Sequence, residues 1–379
     1  MFKFIRFLIP LLLAGLFLAA CQAVSPANTA TVVVQSTDAR SPATPTLSPT
    51  AALPPSLTPA PTDTPVPPTA SSPAQPACFV SAGFIPFAFL PDGVRLVQRN
   101  DQGDVQVLNL EALQVEQTLA APADSMGGAA GLSPDGETLA WVLPDFSIQL
   151  VSLADGELLH TLAGHTGIVT QLEFTPDGTQ LLSASHDSWV RVWDVASGEL
   201  VKTFQPVEPG YAPSDVLGLG LAPDGKRLAA LLFDGPVNIW DIGSASEVAA
   251  LGGSGGYDTS DVAYSPDGQY IAADLATGLA LWRLSDRAQL LSGINSMAFA
   301  FSPDGRYLAY AEIGDGDAIV IASPDGQQRI KLLESPGGAP WFLLFSPDSS
   351  RLVSTNGVET HLWRTADWTL LAAGKQTCP

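Results

Sequence analysis

The chain has 379 residues, 17 Lys or Arg against 38 Asp or Glu, and a formal charge of −21. Nucleic acid binding draws on clustered cations, so a nucleic acid partner is excluded at the outset. The four histidines, His160, His165, His186 and His361, do not fall at zinc-ligand spacing, and no metal or other cofactor is expected.

Met1 to Cys21 carries Lys3 and Arg6, an apolar run from Phe7 to Ala20 interrupted by Pro10, and the ending Leu18-Ala19-Ala20-Cys21. That is the build of an export signal, with an apolar run short for a retained membrane span. The last four residues resemble a bacterial lipobox. The resemblance implies that Cys21 receives lipid and becomes the mature N-terminus, which places the protein in the cell envelope or at the cell surface, bound to a membrane through its lipid alone. A plain secretory signal with an incidental cysteine is the other reading.

Residues 22–77 hold thirteen prolines, abundant Thr, Ser and Ala, no aromatic residue, and only Asp38, Arg40 and Asp63 as charges. Such a segment buries no core and reads as a disordered linker. Fully extended at about 3.1 Å per residue, it reaches on the order of 170 Å.

From residue 78 to 379 the composition turns apolar and aromatic, and Pro-Asp recurs. The Asp positions are 92, 135, 177, 224, 267, 304 and 348, mostly followed by Gly, at the blade-length spacing of a propeller. Pro presets φ, Asp caps its own backbone, and Gly accepts φ > 0, so each is a hairpin turn. Seven turns predict an all-β, seven-bladed propeller of four-stranded antiparallel blades. Pro324-Asp325-Gly326 falls too soon after its predecessor and reads as a different hairpin of blade six.

Blade three is the clearest unit. Ile168 to Phe174, Gln180 to Ser185 and Trp189 to Trp193 are β-rich runs bounded by polar turns, and Gly164-His165 and Trp193-Asp194 bracket them. On these residues the segment resembles the WD-repeat family. The resemblance implies a hydrogen-bonded tetrad of His165, Asp187, Ser183 and Trp193, with Ser185 as the alternative to Ser183. Trp240-Asp241 repeats the signature in blade four, and Trp282 and Trp363 keep its Trp. The corresponding places are Leu108-Asn109, Leu150-Val151 and Ile321-Ala322 in blades one, two and six. Blades five and six are also similar to periplasmic TolB-type repeats through Tyr264-Ser265-Pro266-Asp267-Gly268 and Phe301-Ser302-Pro303-Asp304-Gly305.

By register with blade three, Cys78 and Cys378 fall inside the loop that elsewhere joins blades. A disulfide between them is expected to stand in for the missing peptide connection, contributing up to roughly 5 kcal/mol by loop entropy. Two free thiols is the other reading.

In propellers of this kind the outer-to-inner loops share a face with the loops joining second and third strands. That face carries Phe146, Trp189, Tyr211, Tyr257 and Trp341 among acids, the makings of a contact surface, although such rings also plug blade interfaces. Ser, His and Asp in one blade invite a hydrolase reading, but no nucleophile elbow accompanies them. Glu312 to Asp317 is an acidic turn that lacks the remaining ligands of a calcium loop. The expectation is a monomeric, non-catalytic, extracytoplasmic scaffold for a protein or peptide partner. A glycan-binding propeller and a propeller hydrolase or lyase are the alternatives.

Overall fold

The computed structural model describes residues 77–80, 85–100, 103–121, 129–206, 214–253, 255–256, 261–314, 317–335 and 337–375. The leader, the linker up to residue 76, and Cys21 lie outside them, so the expected domain boundaries there do too.

Seven antiparallel sheets form blades at residues 85–119, 130–162, 169–204, 216–251, 262–294, 299–334 and 342–375. In each, four strands consecutive in sequence pair in order, inner to outer. In blade three they are Val169–Phe174, Gln180–Ser185, Val190–Asp194 and Leu200–Phe204. Alternation along the strands sends one set of side chains to each neighbouring blade. Leu172, Phe174, Leu181 and Trp193 pack against Ala140, Ile148 and Leu150 of blade two. Leu182, Ala184, Val190 and Val192 pack against Leu219, Leu221 and Leu228 of blade four.

The Pro-Asp turns behave as their chemistry requires. Gly178 takes φ 70°, and its N–H donates to the Thr175 carbonyl at 2.8 Å. The residue before the proline adds what the repeat alone did not suggest. Ser133, Thr175, Ser265, Ser302 and Ser346 each donate a hydroxyl hydrogen bond to the turn Asp at 2.5–2.6 Å. Pro324-Asp325-Gly326 joins Ala318–Ala322 to Arg329–Glu334, the third and outer strands of blade six, as expected.

Strand register corrects two assignments. Leu181 faces Trp193, while Leu139 faces Val151 and Leu308 faces Ala322. The Trp-Asp place in blades two and six is therefore Val151-Ser152 and Ala322-Ser323. Sequence spacing put it one residue early because neither blade has a Trp to mark it.

An additional strand, Ala77–Val80, was not foreseen. It runs parallel to Thr369–Lys375, the outer strand of blade seven, with Cys78 opposite Ala373, and makes that sheet five-stranded. Each blade still supplies its own four strands, and the segment before blade one covers the outer edge of the last blade. The Cys78 side chain and Cys378 lie outside the described residues, and with them the expected disulfide. Phe89, Leu96 and Leu108 of blade one close the ring against Val353, Leu362 and Ala372 of blade seven.

Polar side chains also cross between blades. From matching places on successive outer strands, Gln117, His160 and Lys202 reach the third-to-outer turn of the next blade. They donate to the carbonyls of Leu153, Ala196 and Ile242 at 2.7, 3.0 and 2.8 Å.

Candidate functional site

Blade three brings the four residues of the expected tetrad together. The loop before its inner strand lies directly against the turn after its second strand. Gly167 permits this, since a Cβ there would sit 2.9 Å from the Asp187 nitrogen. The Trp193 indole N–H donates to Ser183 Oγ at 2.9 Å, and the Ser183 hydroxyl donates to His165 Nε2 at 2.7 Å. His165 Nδ1–H donates to Asp187 Oδ2 at 2.9 Å. From indole to carboxylate these three donors point one way, and Arg191 Nη1 lies beside the same His165 Nδ1 at 2.6 Å. The alternative, Ser185, is engaged elsewhere, accepting the Asp187 N–H at 3.0 Å.

Charge around the chain fits a neutral imidazole. Burial lowers the His165 pKa, and Arg191 adds to that effect against the opposing pull of Asp187. Burial by itself would raise Asp187. The Thr166 N–H, the His165 ring and the Arg191 guanidinium outweigh it and hold the carboxyl below the usual carboxylate range. Arg191, not singled out by the sequence reading, donates to Asp187 Oδ2 at 3.0 Å.

This geometry bears directly on catalysis. Ser183 is fully buried and its hydroxyl is engaged as donor and acceptor, so it offers solvent no nucleophile. The other blades keep fragments of the network. In blade seven Trp363 donates to Ser354 at 3.0 Å. In blade four Ala230 takes the place of Ser183, and the buried Trp240 Nε1 has no partner among the described residues.

On the loop face, Phe146, Trp189 and Trp341 are each partly buried. Phe146 holds φ 68°, and Trp341 lies over Gly357, where an added Cβ would meet its ring at 3.3 Å. Trp341 thus packs on its own blade. Tyr211 and Tyr257 lie outside the described residues. The face instead exposes two aliphatic side chains that sequence reasoning passed over, Ile168 at 56% and Val358 at 54%. The sequence pattern starts the strand at Ile168, but it begins at Val169 and leaves Ile168 in the loop. His186 and Asp215 approach at 4.0 Å on this face, each about a third exposed.

Each inner strand contributes one residue at the same place, just before its last position. These are Ala88, Gly131, Glu173, Gly220, Ala263, Ala300 and Leu344. Glu173 is the one acid of this ring. Its carboxylate reaches the neighbouring inner strand and accepts the Leu221 N–H at 3.2 Å, while Gln171 does the same for Leu219 at 3.1 Å. Burial pushes the Glu173 pKa up to about 8, against the Leu221 N–H and assisted by Asp261.

The acidic turn at Glu312 to Asp317 has structural roles. Arg329 forks onto Glu312 at 2.7 and 2.9 Å, and Asp317 accepts the Ala339 N–H at 3.0 Å. Among the described residues no group of three His, Cys, Asp or Glu is placed to hold a metal ion, and no helix is long and apolar enough to cross a membrane.

Comparison with known proteins agrees with this geometry. The family model described as "WD domain, G-beta repeat" matches residues 156–194, which contain the whole tetrad. The chain is 32% identical over 113 residues to COMPASS component SWD3 of Saccharomyces cerevisiae, covering 30% of this chain and 36% of that protein. It is 32% identical over 114 residues to an uncharacterized WD repeat-containing protein of Synechocystis, covering 30% and 32%. Over 141 residues it is 28% identical to Protein groucho of Drosophila melanogaster, covering 35% and 19%. The chain thus spans about a third or less of the length of these relatives. Its third blade matches the WD repeat, and the described residues form a seven-bladed propeller.

Proposed function

We propose that this chain is a lipid-anchored propeller on the outer side of a membrane, and that its loop face binds a protein or peptide without doing chemistry on it. The observation that carries the reading is a contrast within blade three. Its one Ser-His-Asp constellation is buried and internally satisfied, while Ile168, on the loop beside it, stands 56% exposed. An aliphatic side chain exposed on a loop offers a partner apolar contact but supplies no acid, base or nucleophile. Likeness to a protein named as a component of COMPASS supports an interaction role, over the matched stretch alone.

The envelope location rests on the leader and on Leu18-Ala19-Ala20-Cys21, and the Pro-rich linker would hold the disc away from the lipid. The test is a pull-down from the native envelope with the mature chain lacking its lipid. Wild type is compared with a double variant, Ile168→Ser and Trp189→Ala, shown to have unchanged Tm. A protein captured by wild type and lost in the variant supports the reading. Capture of glycan, or capture indifferent to the variant, overturns it.

A further inference from the structure

The two faces of the disc differ in how their charge is composed. On the face of the Pro-Asp turns acids outnumber cations, but cations sit among them and several pair with them. Arg95, Arg227, Arg283, Arg306, Arg351 and Arg364 each contact a carboxylate of the same face at 2.6–3.4 Å.

The loop face has acids and almost no cations. Among the described residues of its loops, Asp104, Asp145, Asp187, Asp215, Asp234, Asp261, Asp317 and Glu359 are present, and there is no Lys or Arg. The flanking strand ends add only Arg99, buried at 8% exposure, and Lys375. Arg191, within a strand, is drawn inward to Asp187.

A second asymmetry is independent of charge. Among the described residues, the exposed large apolar side chains lie on outer strands, apart from Ile168 and Val358. Both of these are on the loop face, and none is on the Pro-Asp turns. An anionic field steers a cationic partner and penalises an anionic one, and exposed aliphatic groups reward a partner that brings apolar surface with its charge.

We infer that the loop face recognises a Lys/Arg-rich, partly apolar segment of a protein partner. This rests on the loop face being the binding surface. A bare cation would leave Ile168 and Val358 without a role, and an anionic glycan would meet only like charge.

The test is fluorescence anisotropy on the mature chain without lipid. The probe is a labelled peptide of alternating Lys, Arg and Leu, and a counterpart carries Gln in place of the basic residues. Two charge-matched variants are compared. Asp145→Asn with Asp234→Asn alters the loop face, and Glu157→Gln with Glu199→Gln alters exposed acids of the other face.

The expected result is about tenfold weaker binding of the basic peptide to the loop-face variant, less than about twofold change in the other, and weakening with added salt. Equal losses in both variants overturn the inference, because general attraction to an acidic protein would then suffice. Tight binding of the Gln peptide, lost on Ile168→Ser but indifferent to Asp145 and Asp234, overturns it while leaving the loop face as the binding surface. Absence of any peptide binding through Ile168 and the loop acids overturns both.

Discussion

Arg351 Nη1 donates to the Gly93 carbonyl at 2.7 Å, joining the seventh blade to the first across 258 residues of sequence. Nη2 of the same guanidinium reaches Glu111 at 3.0 Å. With the apolar contact of Phe89, Leu96 and Leu108 against Val353 and Leu362, this is what holds the ring shut among the described side chains.

Replacing Arg351 by Ala is expected to lower stability by about 1–2 kcal/mol in urea unfolding, chiefly through the lost hydrogen bond to Gly93. Glu111 is 65% exposed, so Glu111→Gln is expected to cost well under about 1 kcal/mol. A larger loss at Glu111 than at Arg351 would refute this division.

His165→Ala strands the Ser183 hydroxyl and leaves the Asp187 carboxylate one donor short. The expected loss is about 2–4 kcal/mol, read as a fall in the urea midpoint. Ser183→Ala frees the Trp193 indole as in blade four, where Trp240 has no partner among the described residues, and is expected to cost less. An unchanged midpoint in His165→Ala would mean that the tetrad does not stabilise the blade.

The tetrad also sets a direction with pH. His165 has its folded pKa below the ordinary 6.5, so the unfolded chain takes up this proton first as pH falls. Its contribution is complete above pH 6.5 and is lost as pH drops from there through the folded value. Asp187 acts in the same sense below its ordinary 3.8. In His165→Gln the part of the acid-side slope that begins near pH 6.5 is expected to disappear, checked by urea titrations at stepped pH.

Glu173 works with the opposite sign. Its folded pKa of about 8 lies above the ordinary 4.5, so folding holds a proton that the unfolded chain releases. Its contribution is complete below pH 4.5 and declines as pH rises towards 8, by up to about 1.4 kcal/mol per pH unit. Glu173→Gln keeps an oxygen to accept the Leu221 N–H. The variant is expected to match wild type near pH 4.5 and exceed its Tm at pH 8. Equal Tm values at pH 8 would place the carboxyl in water.

The termini admit direct checks. Cys21→Ser is expected to release the protein from membranes, and persistent membrane association would exclude the lipid anchor. If Cys78 and Cys378 are joined, the intact mass under non-reducing conditions is lighter by the two thiol hydrogens, and an unshifted mass excludes the bond.

What the sequence by itself determined was everything carried by short-range chemistry. A Pro-Asp turn needs only neighbouring residues to close a hairpin, so seven such turns mark seven blades in the sequence itself. His165, Asp187, Trp193 and either Ser183 or Ser185 were named as a set through the resemblance of Gly164-His165 and Trp193-Asp194 to the WD repeat. Tertiary structure decided what depends on closing the ring or on which way a loop turns. It chose Ser183 over Ser185, which share one face of the strand, because Ser183 lies level with the His165 ring while Ser185, one step further along, accepts the Asp187 N–H at the turn. It laid Ala77–Val80 along blade seven and set Arg351 on Gly93, contacts between residues too distant in sequence for any local pattern to mark. It also laid Trp341 over Gly357 while leaving Ile168 in water, since exposure in a loop follows from the neighbours that the packed blades supply and not from hydrophobicity.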